Sequence, residues 1–203
     1  MTILNLVGIV GTNSERSTNR KLLRFMAEHF APQAAIEVLE IKDLPAFDEP
    51  ENKTAPAAVV AFSKKIAAAD GVIIATPEYN HTIPAPLASA LEWIAYTSRV
   101  LVNKPVMIVG CSLGALGTSR AQAHLRQILD APELKARVMP GTEFFLGHSE
   151  HVLDDDFNLN NPEKVAELEE HFTEFQDFVI VTNQIVKQAD TDRKKAFVWE
   201  AGE

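Results

Sequence analysis

Ile3-Leu4-Asn5-Leu6-Val7-Gly8-Ile9-Val10-Gly11 decides the architecture: it is almost continuously apolar over the length of one strand and stops at a glycine. A strand with one wet face alternates apolar and polar residues. A strand without that alternation is buried on both faces, as in a parallel sheet held between layers of helix. Working outward, residues 17–30 carry Leu22, Leu23, Phe25, Met26 and Phe30 on a helical face, and residues 35–41 supply a second strand. A proline-rich connection runs through Leu44-Pro45-Ala46-Phe47 to Pro56, and a helix over 57–69 is broken by Asp70-Gly71. Val72-Ile73-Ile74-Ala75 is again a short buried strand. A helix over 84–96 follows, with Leu87, Leu91 and Ile94 on one stripe.

Lys104-Pro105 introduces the strand Val106-Met107-Ile108-Val109, and a helix spans about 117–129. The stretch from Arg137 holds one last strand, placed at Glu143-Phe144-Phe145-Leu146. Asn161-Pro162-Glu163 has the cap and the proline of a helix start. Val165, Leu168, Phe172, Phe175 and Val179, at spacings of three and four, carry that helix to about Lys187. Strand and helix alternate throughout, so the expected fold is α/β, a doubly wound parallel sheet with helices on both faces. Ligands of such sheets sit at the carboxyl ends of the strands, near the switch in strand order. The loops after strands one, three and four are therefore the ones to read.

Composition narrows the function from another side. The chain has 203 residues and a formal net charge of −9, which disfavours nucleic acid and anionic membranes as partners. It is 46% hydrophobic and 23% charged, ordinary for a globular domain that needs no disulfides. The single cysteine, Cys111, excludes an internal disulfide framework and a cysteine-based zinc site. The start of the chain lacks a basic region and a cleavage site, and no apolar run reaches membrane-spanning length. A cytoplasmic protein is expected. Residues 1–190 read as one domain, and 191–203 as a charged C-terminal extension without an assigned role.

The first loop is Gly11-Thr12-Asn13-Ser14-Glu15-Arg16-Ser17-Thr18-Asn19. Hydroxyls and amides at a helix start suit a phosphate, which free N–H groups and the helix dipole hold. The plainer reading is that Ser17 caps the helix and the rest is a polar turn. Neither a Walker A loop nor Gly-x-Gly-x-x-Gly is present, so neither an NTPase nor a dinucleotide-binding Rossmann site is supported. The second loop, Thr76-Pro77-Glu78-Tyr79-Asn80-His81-Thr82-Ile83-Pro84, sets an aromatic and several polar groups between prolines. The third, Gly110-Cys111-Ser112-Leu113-Gly114-Ala115-Leu116-Gly117, lets backbone approach a flat ligand closely, though a tight strand-to-helix turn explains it as well.

Together, Thr76-Pro-Glu-Tyr-Asn-x-Thr-Ile-Pro84 and Gly110-x-Ser-x-Gly-Ala-Leu-Gly117, continued by Arg120-Ala-Gln-x-His-Leu-Arg126, resemble the NADPH-dependent FMN reductase family of flavodoxin-like proteins. That family includes quinone, chromate and azo-dye reductases. The resemblance spans roughly residues 3–178. It implies a five-stranded sheet, one FMN, NADPH or NADH as electron donor, and a homodimer or dimer of dimers. It places the FMN phosphate on Thr12, Ser14, Ser17, Thr18 and Asn19. Pro77, Glu78, Tyr79 and Asn80 would border the isoalloxazine ring, and Ser112, Leu113 and Gly114 its pyrimidine side, with Gly117 closing that loop. Relatives often carry arginine where this chain has Ser14. Arg16 either takes over that contact or the phosphate site is weaker.

What the resemblance implies is an enzyme in which FMN takes hydride from NAD(P)H. It then passes electrons to a small acceptor (a quinone, azo dye or free flavin) by a ping-pong mechanism. No protein acid or nucleophile is required. The loop over 112–117 is expected to aim N–H donors and a positive helix end at the ring. The alternative is a flavodoxin-like carrier that binds FMN without turnover. Metal is disfavoured: His148 and His151, near Asp154-Asp155-Asp156, read as a solvated turn. His81 is placed to meet substrate, solvent or a neighbouring subunit, and His124 reads as packed or hydrogen-bonded on its helix. Trp93 and Tyr96 fall off the Leu87-Leu91-Ile94 stripe, which makes the helix over 84–96 the expected dimer surface.

Overall fold

In the computed structural model, which describes residues 3–141 and 143–189, the run that opens the chain is the second place in a parallel sheet. The strands are β1 (Leu4–Val10), β2 (Ala34–Glu40), β3 (Gly71–Ala75), β4 (Pro105–Cys111), β5 (Arg137–Val138) and β6 (Phe144–Leu146). Their order is β2-β1-β3-β4-β5, all parallel, with β6 also paired to β4. This is the flavodoxin-like doubly wound order, and its switch point lies between β1 and β3.

The helices are α1 (Thr18–His29), α2 (Ala57–Ala68), α3 (Ala85–Trp93), α4 (Ser119–Leu129), α5 (Ser149–Val152) and α6 (Pro162–Ala189). On one face α1 and α6 bring Leu22, Leu23, Met26, Phe172 and Phe175 onto Leu6, Val10, Ile73, Met107 and Val109. On the other, α2, α3 and α4 bring Phe62, Ile66, Leu87, Leu91 and Leu125 onto Val7, Ile9, Ile74 and Ile108. Successive strand side chains enter opposite cores, which is why these strands show no polar alternation. Among the described residues no helix is long and apolar enough to cross a membrane.

The sequence-based boundaries hold to a residue or two for most elements, with three differences. The fifth place in the sheet is split. β5 pairs with Pro105 and Val106, and β6 with Val109, Gly110 and Cys111. A two-residue strand carries no readable periodicity, so only the second piece is legible in sequence. The short α5 lies where a loop was expected. The helix expected over 84–96 stops at Trp93 and continues as a π-helical turn, Ile94–Ser98, ended by Arg99 in the left-handed region at φ 53°.

The expected placing of Trp93 outside the core is a further correction. Trp93 is 2% exposed within the single chain. Its indole N–H donates to the Pro45 carbonyl at 2.9 Å, and the Tyr96 hydroxyl donates to the Pro50 carbonyl at 3.3 Å. Phe47 packs edge-on against both rings, at 5.1 and 5.4 Å between centroids, and its N–H donates to Ser89 Oγ at 2.8 Å. The proline-rich connection therefore folds back as an arm over α3. Trp93 is buried and Tyr96 half-buried beneath that arm, and the extension 191–203 lies outside the described residues.

Candidate active site

The three loops converge on one cavity of about 550 Å³, within the range of small-molecule and cofactor sites. Of the expected residues, Thr12, Ser14, Arg16, Ser17, Thr18, Asn19, Pro77, Glu78, Tyr79, Ser112, Leu113 and Gly114 line it, joined by Cys111 and Glu150. Asn80 and Gly117 are not among the lining residues. Asn80 stands at the exposed tip of the second loop, and Gly117 turns at φ 56° against Phe145 and Leu146. Glu150 arrives on α5, pinned by a 3.0 Å hydrogen bond from Ser149 Oγ to Thr18 Oγ1. No sequence signal marks Glu150, because only the fold carries its segment back to the first loop.

The first loop has the donors to hold an anion. Ser17 caps α1, its Oγ accepting the Arg20 N–H at 3.2 Å, which leaves the hydroxyl proton to donate elsewhere. None of the hydrogen bonds among the described residues uses the N–H of Ser17, Thr18 or Asn19, so the opening of the helix is free toward the cavity. Thr12 Oγ1 accepts the Ser14 N–H at 3.2 Å and lies 3.4 Å from the Tyr79 hydroxyl, joining the first loop to the second. Arg16 is exposed on the cavity wall. Arg20 is committed elsewhere, forked onto Glu40 at 2.5 and 2.8 Å and donating to the Ser14 carbonyl at 2.7 Å. Of these two arginines, Arg16 is the one that lines the cavity.

Asn19 plays a part that its place in the motif conceals. Its amide donates to the Cys111 carbonyl at 2.9 Å and accepts the Cys111 N–H at 3.0 Å, both deep in the chain. The side chain ties α1 to the end of β4, so what Asn19 offers an anion is its backbone N–H.

The second loop is a two-residue hairpin. Tyr79 and Thr82 exchange N–H···O bonds at 3.0 Å each, and Asn80 and His81 both have positive φ, 51° and 67°. That is the primed turn matching strand twist, normally occupied by Asn-Gly. Thr82 Oγ1 is bonded to His124 Nδ1 on α4, and the Glu78 carboxylate accepts Arg120 Nε–H at 2.6 Å. In the third loop Ser112 Oγ donates to the Gly114 carbonyl at 2.9 Å and accepts the Gly117 N–H at 3.0 Å. Its hydroxyl holds the loop's own shape, and none of the hydrogen bonds among the described residues uses the Leu113 or Gly114 N–H. A methyl at Gly114 would meet nothing within 4 Å, so this glycine faces open space. One expectation is corrected: the start of α4 is not a free positive end, because the N–H groups of Arg120 and Ala121 already donate to Glu78.

Cys111 is 1% exposed, and burial pushes its thiol up to about 12, against smaller lowering by Thr18 and Ser149. A thiol held protonated and enclosed is a packing group, not a nucleophile. An aromatic disulfide reagent at pH 8 should therefore titrate no thiol in the folded chain and one after denaturation. Prompt labelling of the folded chain would contradict this. Among the described residues no three His, Cys, Asp or Glu side chains gather as a metal site.

A family model described as NADPH-dependent FMN reductase matches residues 4–151. The chain belongs to that family. The match favours the reductase over the electron carrier, since the family is defined by nicotinamide-dependent flavin reduction. The reductase is similar to the NADH:(hydroxy)cinnamate reductase subunit CrdA of Vibrio ruber, 54% identical over 98% of this chain and 100% of the relative. It is also similar to the NADH-dependent flavin reductase subunit 2 of Lactobacillus johnsonii, at 42% identity over 87% and 97% of the two chains. In structure it resembles FerB, a flavoenzyme NAD(P)H:(acceptor) oxidoreductase of Paracoccus denitrificans, with a TM-score of 0.72 at 24% identity over 92% and 98% of the chains. The reductase is an oxidoreductase with FMN as cofactor and a nicotinamide dinucleotide as donor.

The cavity fits that cofactor. Open N–H groups at the α1 start suit a phosphate, and unused N–H groups at Leu113 and Gly114 beside open space suit the edge of a flat polar ring. Ser17→Ala should cost about 1 kcal/mol of apo stability through the lost cap. It should weaken FMN binding by about 1–3 kcal/mol through the lost donor to a charged group. Thermal melts and fluorescence titration check the two parts separately, and unchanged FMN affinity would remove Ser17 from the phosphate site.

Proposed function

We propose that the reductase binds one FMN with its phosphate on residues 12–19 and its ring between Pro77-Glu78-Tyr79 and Ser112-Leu113-Gly114. The observation that carries this reading is the meeting of the three loops in one cavity whose helix-start N–H groups are unspent. Bound there, FMN supplies two-electron chemistry, accepting hydride from NAD(P)H to leave NAD(P)⁺ and yielding both electrons to an acceptor. The protein binds, orients and sets charge. Ser17 and the α1 N–H groups fix the phosphate, Arg16 offsets its charge, and the Thr12–Tyr79 contact keeps the ring-bordering loop in register with the phosphate loop. Tyr79 and Leu113, which line the ring side of the cavity, are exposed by 47% and 60% and form an apolar rim there.

That rim supports two finer readings. Nicotinamide and a small planar acceptor such as a quinone, azo dye or flavin take turns on the ring face, giving ping-pong kinetics. A second copy of the chain covers part of the rim in a cytoplasmic homodimer, in place of the α3 surface that the arm already occupies. The names of the two relatives describe subunits, which favours delivery of electrons to a partner protein as the second reading.

The test is an absorbance spectrum of the purified chain, FMN titration, and anaerobic addition of NADH and NADPH, followed by steady-state oxidation with a quinone. Bleaching of bound flavin and parallel double-reciprocal lines are expected. Flavin reduced by NAD(P)H but passed to no small acceptor would favour the subunit reading. Light scattering at micromolar concentration should give twice the chain mass, and a monomeric mass for active, flavin-loaded protein would end the dimer proposal.

A further inference from the structure

Glu78 lines the cavity with a side chain only 8% exposed, and its carboxylate is crowded with donors. Arg120 contributes Nε–H at 2.6 Å and a second guanidinium nitrogen, while the N–H groups of Arg120 and Ala121 donate at 3.1 and 3.3 Å. Those two N–H groups belong to the first turn of α4. The helix's own cap position cannot serve them: Thr118 is left-handed at φ 70°, and its hydroxyl accepts from Gln122 Nε2 at 3.2 Å. Glu78 is therefore a cap supplied from another loop. Burial alone would push its carboxyl up, but the Arg120 guanidinium and the two N–H groups outweigh burial and hold it below the ordinary carboxylate range. It is charged at neutral pH.

A helix start carries roughly half a positive charge. Here a full negative charge is seated on that start, at the cavity wall, while the matching Arg120 side chain is 46% exposed and is not among the cavity's lining residues. Reduction of FMN at neutral pH adds two electrons and one proton, so the ring gains one negative charge. A fixed carboxylate on the wall disfavours that gain, and a fixed cation favours it.

We propose that Glu78 sets the reduction potential of the bound flavin, holding it low by cancelling the positive start of α4, while Arg120 works in the opposite sense. A flavin held low gives up electrons more readily, which suits a site whose role is to pass them on. The proposal rests on the ring lying against residues 77–79.

The experiment is potentiometric titration of FMN-loaded wild type, Glu78→Gln and Arg120→Gln, with apo melting curves alongside. Glutamine keeps the shape and an oxygen for the two N–H groups but loses the charge. Glu78→Gln should favour reduced over oxidised FMN by about tenfold, an upward shift of about 30 mV for a two-electron couple. Arg120→Gln, which leaves the carboxylate unanswered, should shift the potential downward. A purely structural clasp would move both variants the same way or neither, and either result overturns the proposal. If Glu78→Gln does not fold, Arg120→Gln decides alone: a fall supports the assignment, and no change or a rise overturns it. A wild-type chain that takes up no FMN fails the cofactor reading itself, whereas FMN bound at unmoved potentials fails only this one.

Discussion

Gly110→Ala is expected to destabilise the chain by about 3 kcal/mol, the upper end of overpacking costs. In a chain of this size that lowers Tm by roughly 6–12 °C. The added methyl would lie 1.9 Å from Thr118 Oγ1, 2.7 Å from the Thr76 carbonyl and 3.0 Å from Gln122 Nε2. Thr118 and Gln122 are each 1% exposed, so neither can swing clear into solvent, and the Thr76 carbonyl is main chain. Gly110 is thus where β4, the end of β3 and the start of α4 close on one another. Circular-dichroism melts of the apo chain check the effect. Thr118→Ala placed on top of Gly110→Ala should recover part of the loss, because it removes the closest contact but not the carbonyl. An unchanged Tm for Gly110→Ala would show that this junction has slack the structure does not display.

The second large effect is expected at Asn19. Asn19→Ala strands the N–H and the C=O of Cys111, both buried, at about 1–3 kcal/mol apiece. The apo chain should therefore lose roughly 2–6 kcal/mol with no cofactor in the experiment. The readout separates two roles. A side chain that only held phosphate would leave apo stability untouched and weaken FMN binding. A side chain that ties α1 to β4 lowers apo stability first, and FMN affinity falls because the two loops lose their register. Denaturant melts of the apo variant decide, and an unaltered midpoint would return Asn19 to the phosphate.

These two residues show what kind of information the sequence held. The sheet was legible because strands buried on both faces leave unbroken apolar runs, as residues 3–10 and 72–75 do. The cavity was legible because three loops with unusual polar content follow strands one, three and four, and the order of the sheet brings those strand ends together. What did not show was how the polar groups divide their partners. Asn19, Ser112 and Glu78 stand in the expected place, yet their side chains bond to Cys111, to the third loop itself and to α4. Motif reading assigns a polar residue to a ligand because the ligand needs polar residues. It cannot see that a buried backbone group nearby needs one more. Glu150 and the split fifth strand were invisible for a simpler reason, since four-residue helices and two-residue strands carry no period.

The arm over α3 has a practical consequence. Residues 51–54 are exposed at its far end, while Phe47 and the carbonyls of Pro45 and Pro50 press on Trp93 and Tyr96. A protease that nicks the tip severs the strap at its most reachable point and leaves the sheet and the three loops intact. The limb over 45–50 keeps its contacts to Ser89, Trp93 and Tyr96 but loses its tether to α2, so it lifts more often and then bares the indole and phenol as an adhesive patch. Material cut there would keep its flavin colour while clumping over days, so shelf life and activity would report on different parts of the chain. Shortening the tip or stiffening it with a proline is where an engineer seeking a durable preparation would begin.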